Sequence, residues 1–290
     1  MVTGWQTINN ATYHFNDEGA METSTWADGD NARYYLGENG AALTGWQDLD
    51  GSTYYFDANG KMATGDIYLG LTRCSFDENG KLISKTESQI DPNKPAIALT
   101  FDDGPGPRTM ELLAQLEKYN AHATFFMLGQ KVSSCPDAIR KMQEIGCELG
   151  NHSYDHPDLS KLDAAGIQSQ ISQTNEGIRG IAGNGATVLR PPYGAISSTL
   201  SSNAGMPMIL WNIDTLDWKT RNAQSTIDAV MKDVKDGDII LMHDIHSETI
   251  DAALQLIPRL QAEGYQLVTV SELAASKGKT LLNGETYTDF

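Results

Sequence analysis

The 290-residue chain contains no apolar run approaching the ~20 residues a membrane-spanning helix needs. It is short of positive charge: 21 Lys plus Arg stand against 38 Asp plus Glu, a formal net charge of −17. A polyanion such as nucleic acid is therefore a poor bulk partner, while a neutral polymer is neither favoured nor excluded. Cysteine is scarce. Cys74, Cys135 and Cys147 are odd in number and include no Cys-x-x-Cys pair, which argues against a cysteine-rich zinc site and leaves at least one thiol outside any intramolecular bridge. Whether Cys135 and Cys147, which flank an expected helix, are bridged stays open at this level. The start, MVTGWQ, lacks the basic segment and apolar core of an export signal. Either the protein works in the cytoplasm or the signal lies upstream, and a start partway through a repeat points to the second.

That repeat occupies the first eighty residues. Trp5, Trp26 and Trp46 recur at a period of roughly 20, and Gly19, Gly40, Gly60 and Gly80 keep the same step. Between each Trp and Gly lies an aromatic cluster, Tyr13-His14-Phe15, Tyr34-Tyr35-Leu36 or Tyr54-Tyr55-Phe56, followed by an Asn/Asp-rich turn. A weaker fourth unit runs from Cys74 to Gly80. Glycine supplies the positive φ of a tight turn and aromatics suit half-buried strands, so the pattern predicts hairpins. A single hairpin is marginal alone, so neighbours are expected to stack. The stretch from Gly45-Trp46 to Thr64-Gly65 resembles the cell-wall-binding repeats of the choline-binding type. In choline binders, aromatic cages grip the trimethylammonium by cation–π attraction. Those members usually carry one more aromatic before the tyrosine pair, where this chain has Thr12, Arg33 or Thr53, a departure that counts against choline. Trp5, Trp26, Trp46, Tyr34 and Tyr54 are the candidate ligand-facing aromatics. The alternative, that the rings merely fill the stack, stays open.

Residues 1–83 are thus expected to form the repeat module, 84–94 (SKTESQIDPNK) a linker, and 95–290 a second domain. In the second domain short apolar runs alternate with helical periodicity. Strands are expected at 96–101, 123–128, 147–150, 188–189, 208–211, 239–242 and 266–268. Leu112, Leu113, Leu116 and Tyr119 share one helix face, Ile227, Val230, Met231 and Val234 a second, and Ala253, Leu256, Ile257 and Leu260 a third. Strand–helix alternation predicts a parallel sheet covered by helices. About seven such units predict a distorted (β/α) barrel short of the eight-stranded form, in which catalytic groups gather at the C-terminal ends of strands.

Each expected strand end carries polar chemistry. The first reads Thr100-Phe101-Asp102-Asp103-Gly104-Pro105, with adjacent carboxylates that need a metal or an arginine to coexist, unless the stretch is a solvated turn. The third runs into Asn151-His152-Ser153-Tyr154-Asp155-His156-Pro157, two histidines that can meet on one metal if the backbone curls; it is not His-Glu-x-x-His. The fourth ends Arg190-Pro191-Pro192-Tyr193-Gly194, a stiff segment whose Arg suits a carboxylate partner. Asp214-Thr215-Leu216-Asp217-Trp218 and Leu241-Met242-His243 follow, and a His at a strand end with an Asp to orient it suits a general acid.

Each signal is weak alone, but their joint occurrence is not. TFDDGP, HSYDH, RPPYG, DTLDW and LMH, in this order over roughly residues 95–276, resemble the motifs of the polysaccharide deacetylase family, carbohydrate esterase family four. Within it the chain looks most similar to peptidoglycan N-acetylglucosamine deacetylases. The resemblance implies metal ligation by Asp103, His152 and His156, with zinc as the default and cobalt or nickel also fitting N/O ligands. It implies Asp102 as general base held by Arg190, and His243 as general acid oriented by Asp217. Tyr193, Trp218 and Leu241 are the implied walls of the acetyl pocket. His14, His122 and His246 read as structural or surface residues, His246 being nearest the expected rim. The expected activity is hydrolysis of N-acetyl groups on a cell-wall polysaccharide, outside the cell and with the repeats holding the polymer. Acetylxylan esterase, chitin or chitooligosaccharide deacetylase, and a catalytically silent binding protein are the alternatives.

Overall fold

The computed structural model describes residues 2–8, 11–29 and 32–290, and the chain divides into two compact units: Met1–Ile67 with Arg73–Thr86, and Tyr68–Thr72 with Glu87–Phe290.

The repeats fold as antiparallel hairpins, Gly4–Ile8 with Ala11–Phe15, Thr25–Gly29 with Ala32–Leu36, and Gly45–Leu49 with Ser52–Phe56. A fourth, Gly65–Leu69 with Thr72–Phe76, takes on Leu82–Glu87 as a third strand, so the chain is still extended where the linker was expected to begin at residue 84. The tryptophans reach forward to the next hairpin: Trp5 to Tyr34 with ring centres 4.4 Å apart, Trp26 to Tyr54 at 5.2 Å, Trp46 to Phe76 at 5.9 Å. These contacts bury Leu36, Phe56 and Phe76 completely and leave Tyr34 and Tyr54 almost no exposed surface, giving a core that no hairpin could make alone. Gly80 closes a turn at φ +79°, where a side chain would also strike the Met62 sulfur.

The second unit contains nine strands in one sheet, here β1 (Ala96–Asp102), β2 (Thr124–Met127), β3 (Glu148–Asn151), β4 (Val188–Leu189), β5 (Met208–Ile209), β6 (Ile213–Asp214), β7 (Ile239–His243), β8 (Gln266–Val268) and β9 (Thr286–Tyr287). All pairings are parallel, in the order β6-β7-β1-β2-β3-β4-β5-β9, and β8 also pairs with the first residues of β1. This is the expected curled, incomplete barrel, with two strands that periodicity did not reveal. The run expected as one strand at 208–211 stops at Ile209, and a separate β6 begins at Ile213 on the opposite end of the sheet order. Two-residue strands carry too little alternation to be read from a sequence.

β1 is buried along its whole length and alternates between two environments. Ile97, Leu99 and Phe101 face the outer layer, packing with Leu112, Leu113 and Leu116 of helix α1 (Thr109–Lys118) and with other helix residues. Ala96 and Ala98 face inward with Phe126, Ile209, Ile239 and Val268. By the two-residue period of a strand, Thr100 and Asp102 continue that inward line, and Leu241 and His243 continue the line of Ile239 on β7. The interior thus changes from apolar to ionisable toward the C-terminal ends of the strands. The alanines at the start of β1 leave room for inward neighbours, and Gly150 on β3 leaves room for the Phe126 ring, which a Cβ there would meet at 2.5 Å. Cys135 and Cys147 are free thiols, and burial pushes Cys147 up to about 12.

Candidate active site

Arg190 follows β4 and is completely buried. Its guanidinium lies 4.1 Å over the Phe126 ring. Nε donates to the Ile209 carbonyl at 3.0 Å, Nη2 to the Leu210 carbonyl at 2.8 Å, and Nη1 to Thr100 Oγ1 at 2.6 Å and Asp102 Oδ1 at 2.8 Å. A buried guanidinium is tolerable only when its donors are used and its charge is paired, and both conditions hold here. Asp102 is thereby fixed with Oδ2 facing His152 Nε2 at 3.7 Å.

Asp103, His152 and His156 offer one ligand atom each within 4.8 Å of one another. Both His152 Nε2 and His156 Nε2 lie 3.5 Å from Asp103 Oδ1. That oxygen is buried and makes no hydrogen bond among the described residues. The other nitrogen of His152, Nδ1, donates to the Arg190 carbonyl at 2.6 Å, which fixes the tautomer and leaves the Nε2 lone pair aimed at Asp103. Burial holds His152 below its ordinary value, with the His156 charge in the same direction and the neighbouring carboxylates opposing. A neutral, oriented imidazole, a second imidazole and an orphan carboxylate oxygen fit a divalent metal.

Two of the three candidate ligands, Asp103 and His156, sit on strained backbone. Asp103, Ser153, His156, Tyr193, Leu216 and Arg221 all have φ between +46° and +69°, six of the nine non-glycine residues of the described chain in that region. Left-handed backbone costs a non-glycine residue of order 1 kcal/mol, and it gathers where a loop must aim side chains. The His-x-x-x-His segment is a loop as expected. Asn151 secures it by accepting from Ser153 N at 2.8 Å while donating to the Ile171 carbonyl and Asn175.

On the other side of the barrel mouth, His243 Nδ1 donates to Asp217 Oδ1 at 2.8 Å. Asp217 also accepts from His243 N and from Thr249 Oγ1, each at 2.7 Å. Burial opposes charge on His243, but the Asp217 bond and the charges of Asp217, Asp102 and Asp103 outweigh it and the net shift is upward. Burial likewise opposes the Asp217 carboxylate, and the His243 and Thr249 bonds bring it below the ordinary range. Tyr193 and Trp218 are exposed, at 70% and 47%, whereas Leu241 is buried on the inward line of β7. The Tyr193 ring meets His156 edge-on at 4.7 Å.

All seven residues assigned to acid, base or metal therefore converge, although they come from five segments. Several supporting groups gave no sequence signal. Thr249 lies 32 residues from Asp217 and Thr100 lies 90 from Arg190, and threonine at such spacing is unremarkable. Asp244 is buried, receives the Thr109 hydroxyl on Oδ2, and has an Oδ1 without a hydrogen bond among the described residues, set against Gly104, where no Cβ would fit. Burial pushes it up to about 6. Asp244 thus braces the turn after Asp103 from within. The histidines read as structural lie elsewhere or at the rim: His14 bonds Glu22, His122 bonds Glu272, and His246 sits 6.1 Å from the His243 ring.

The polysaccharide deacetylase family matches residues 89–209, and the choline-binding repeat family matches 2–44 and 43–86. The chain is 46% identical over 192 residues to the peptidoglycan-N-acetylmuramic acid deacetylase PdaC of Bacillus subtilis, covering 66% of this chain and 41% of that one. It therefore spans about two fifths of the length of that relative. A chitooligosaccharide deacetylase of Sinorhizobium fredii is 36% identical, over 59% of this chain and 88% of its own. A solved T48 deacetylase with substrate superposes with a TM-score of 0.66 at 41% identity, covering 68% of this chain and 99% of that one.

Proposed function

The chain belongs to the polysaccharide deacetylase family, and on that premise we propose that it hydrolyses N-acetyl groups from amino sugars of a cell-wall polysaccharide, with peptidoglycan as the polymer. One observation carries this reading: a buried Arg190–Asp102 pair and a His243–Asp217 pair flank a three-ligand cluster at one end of the barrel.

Asp103, His152 and His156 would hold a divalent metal, zinc by ligand type, which when bound polarises the acetyl carbonyl and makes water acidic enough to attack at neutral pH. The remaining chemistry belongs to the chain. Asp102, paired with Arg190 through Oδ1 and reachable through Oδ2, takes the proton from the attacking water. In its acid form His243 carries a proton on each ring nitrogen, and the upward shift of its pKa favours that form. Nδ1–H is committed to Asp217, so Nε2–H is the one available to the departing amine. Collapse of the tetrahedral adduct breaks the C–N bond and yields acetate and a free sugar amine. Leu241 closes the inner wall for the acetyl methyl, and Trp218 and Tyr193 offer exposed rings for the sugar.

Cell-wall association outside the cell is the setting that fits both matched families. In the repeats, Arg33 lies 4.7 Å over the Trp26 ring and Lys85 Nζ lies 3.6 Å over Trp46. These cations of the chain itself hold ring faces that a trimethylammonium would need, which supports a neutral glycan rather than choline as the ligand.

Acetate release from N-acetylglucosamine oligomers and from peptidoglycan tests the reading. The expected result is release that chelator abolishes, zinc restores, and Asp102→Asn lowers by at least a hundredfold. Chelator-resistant release, or full activity in the variant, would refute it.

A further inference from the structure

Arg221 ends the short helix α2 (Asp217–Thr220) that begins with the residue orienting the general acid. Its backbone is left-handed at φ 46°, and its side chain turns back so that Nε donates to the Trp218 carbonyl at 2.8 Å. Nη1 contacts His246 Nδ1. Since guanidinium can only donate, His246 Nδ1 is the acceptor, and the imidazole then carries its hydrogen on Nε2. Burial and the Arg221 charge both hold His246 below its ordinary value, which keeps that neutral form. Among the described residues Arg221 has no carboxylate partner, and neither its Nη2 nor His246 Nε2 makes a hydrogen bond. A cation left unneutralised is unexpected in a chain with 38 acidic and 21 basic side chains.

This pair stands beside the reaction centre. The His246 ring is 6.1 Å from that of His243, and the carbonyl that holds Arg221 belongs to the half-exposed Trp218. A sugar lying on Trp218 with its acetamide toward His243 would bring its ring substituents toward Arg221. A net charge of −17 repels an acidic polymer at long range, but that field is screened over ~8 Å at physiological ionic strength. A fixed guanidinium within that distance sets the local preference.

We propose that Arg221 and His246 form a carboxylate-binding subsite that selects acidic amino-sugar polymers, those whose sugar at or next to the reacting acetamide carries a carboxylate. Arg221 supplies the charge and one donor, His246 Nε2–H a second donor, and Trp218 the platform for the sugar face. The proposal rests on the deacetylase reading and adds a substrate preference to it.

Two peptide-free substrates separate the possibilities in the zinc-loaded full chain. One is a glycan alternating N-acetylglucosamine with N-acetylmuramic acid. The other is the same glycan with its carboxylates methyl-esterified. A neutral N-acetylglucosamine oligomer reports the basic chemistry. The expected result is a KM about tenfold lower for the free acid than for the ester, an advantage that shrinks as salt rises. Arg221→Gln should remove the difference between acid and ester, and Arg221→Lys should keep part of it. Equal KM for acid and ester in the unaltered protein would overturn the subsite while leaving the deacetylase reading intact, provided the neutral oligomer releases acetate. An Arg221→Gln effect of equal size on acid and ester would also overturn it, by reducing Arg221 to a structural role. No acetate from any of the three would overturn both readings.

Discussion

The two ends of the parallel sheet each bury a carboxylate, and they treat it in opposite ways. At the start of β3, Glu148 accepts from Thr124 and Thr187 and from the backbone and hydroxyl of Ser271. Burial pushes it upward, and these neutral donors only partly offset the shift. At the other end Asp217 is also buried, yet its net shift is downward because one of its partners, His243, can carry charge. Each end also has a histidine–carboxylate pair. His122 bonds Glu272, which at the same time closes the capping box of helix α3 (Val270–Ser276). His243 bonds Asp217, which is tied to the backbone and hydroxyl of its neighbours and leaves the imidazole edge free. Hydroxyl donors satisfy a buried carboxylate, whereas an ionisable donor makes it part of a proton-transfer site.

The sharpest way to break this contrast is to neutralise one carboxylate at each end. Asp217→Asn should lower kcat/KM for acetate release by roughly ten-thousandfold, the scale seen when an imidazole loses the carboxylate that orients it. A loss under tenfold would place the proton donor elsewhere. The pH profile sharpens the same point. With His243 raised above 6.5, activity should fall on the alkaline side only as pH passes that raised value. In Asp217→Asn the residual activity should lose this alkaline limb to lower pH, because burial is then unopposed by the carboxylate. The pair also stabilises the fold: the His243 share is complete below 6.5 and lost as pH rises through the raised value, and the Asp217 share is present above 3.8 and lost as pH falls through its lowered value. The melting-temperature gap between the two proteins should therefore be widest between about pH 4 and 6.5.

At the opposite end the expected effects are on stability. Glu272→Ala removes the capping box and the His122 bond, which should cost about 1–2 kcal/mol in denaturant unfolding and leave kcat/KM within about twofold. An activity loss comparable to Asp217→Asn would erase the distinction between the ends. The smallest effect is expected from Glu148→Gln. A carboxyl whose folded value is raised contributes stability below 4.5 that declines as pH rises toward the raised value, so the variant should flatten the pH dependence of the melting temperature in that window.

Much of this was legible in the sequence for a physical reason. Residues that must converge on one point of a barrel lie at strand ends, so Asp102, His152, Arg190 and His243 each follow an apolar run that can be read locally. The barrel class followed from the same runs. What stayed hidden was set by pairing across long separations. The break between β5 and β6 depends on Arg190 taking the carbonyls of Ile209 and Leu210, and β9 is a two-residue strand recognisable only by its partner. Thr249, Asp244 and Arg221 act through neighbours from other elements, so no local pattern marks them.

Arg190 also bears on how such a site can change over generations. One side chain holds the general base, the carbonyls between two strands at opposite ends of the sheet order, and the carbonyl-bound imidazole of a metal ligand through its own backbone. A replacement that spared one of these duties while relaxing another is hard to find among the other nineteen residues, since none carries five fixed donors and a permanent charge. Loss of the base and loosening of the barrel would arrive in a single step. Inactive descendants of this chain should therefore tend to keep the arginine and decay first at the ligands, where a histidine can be exchanged without unpicking the wall behind it.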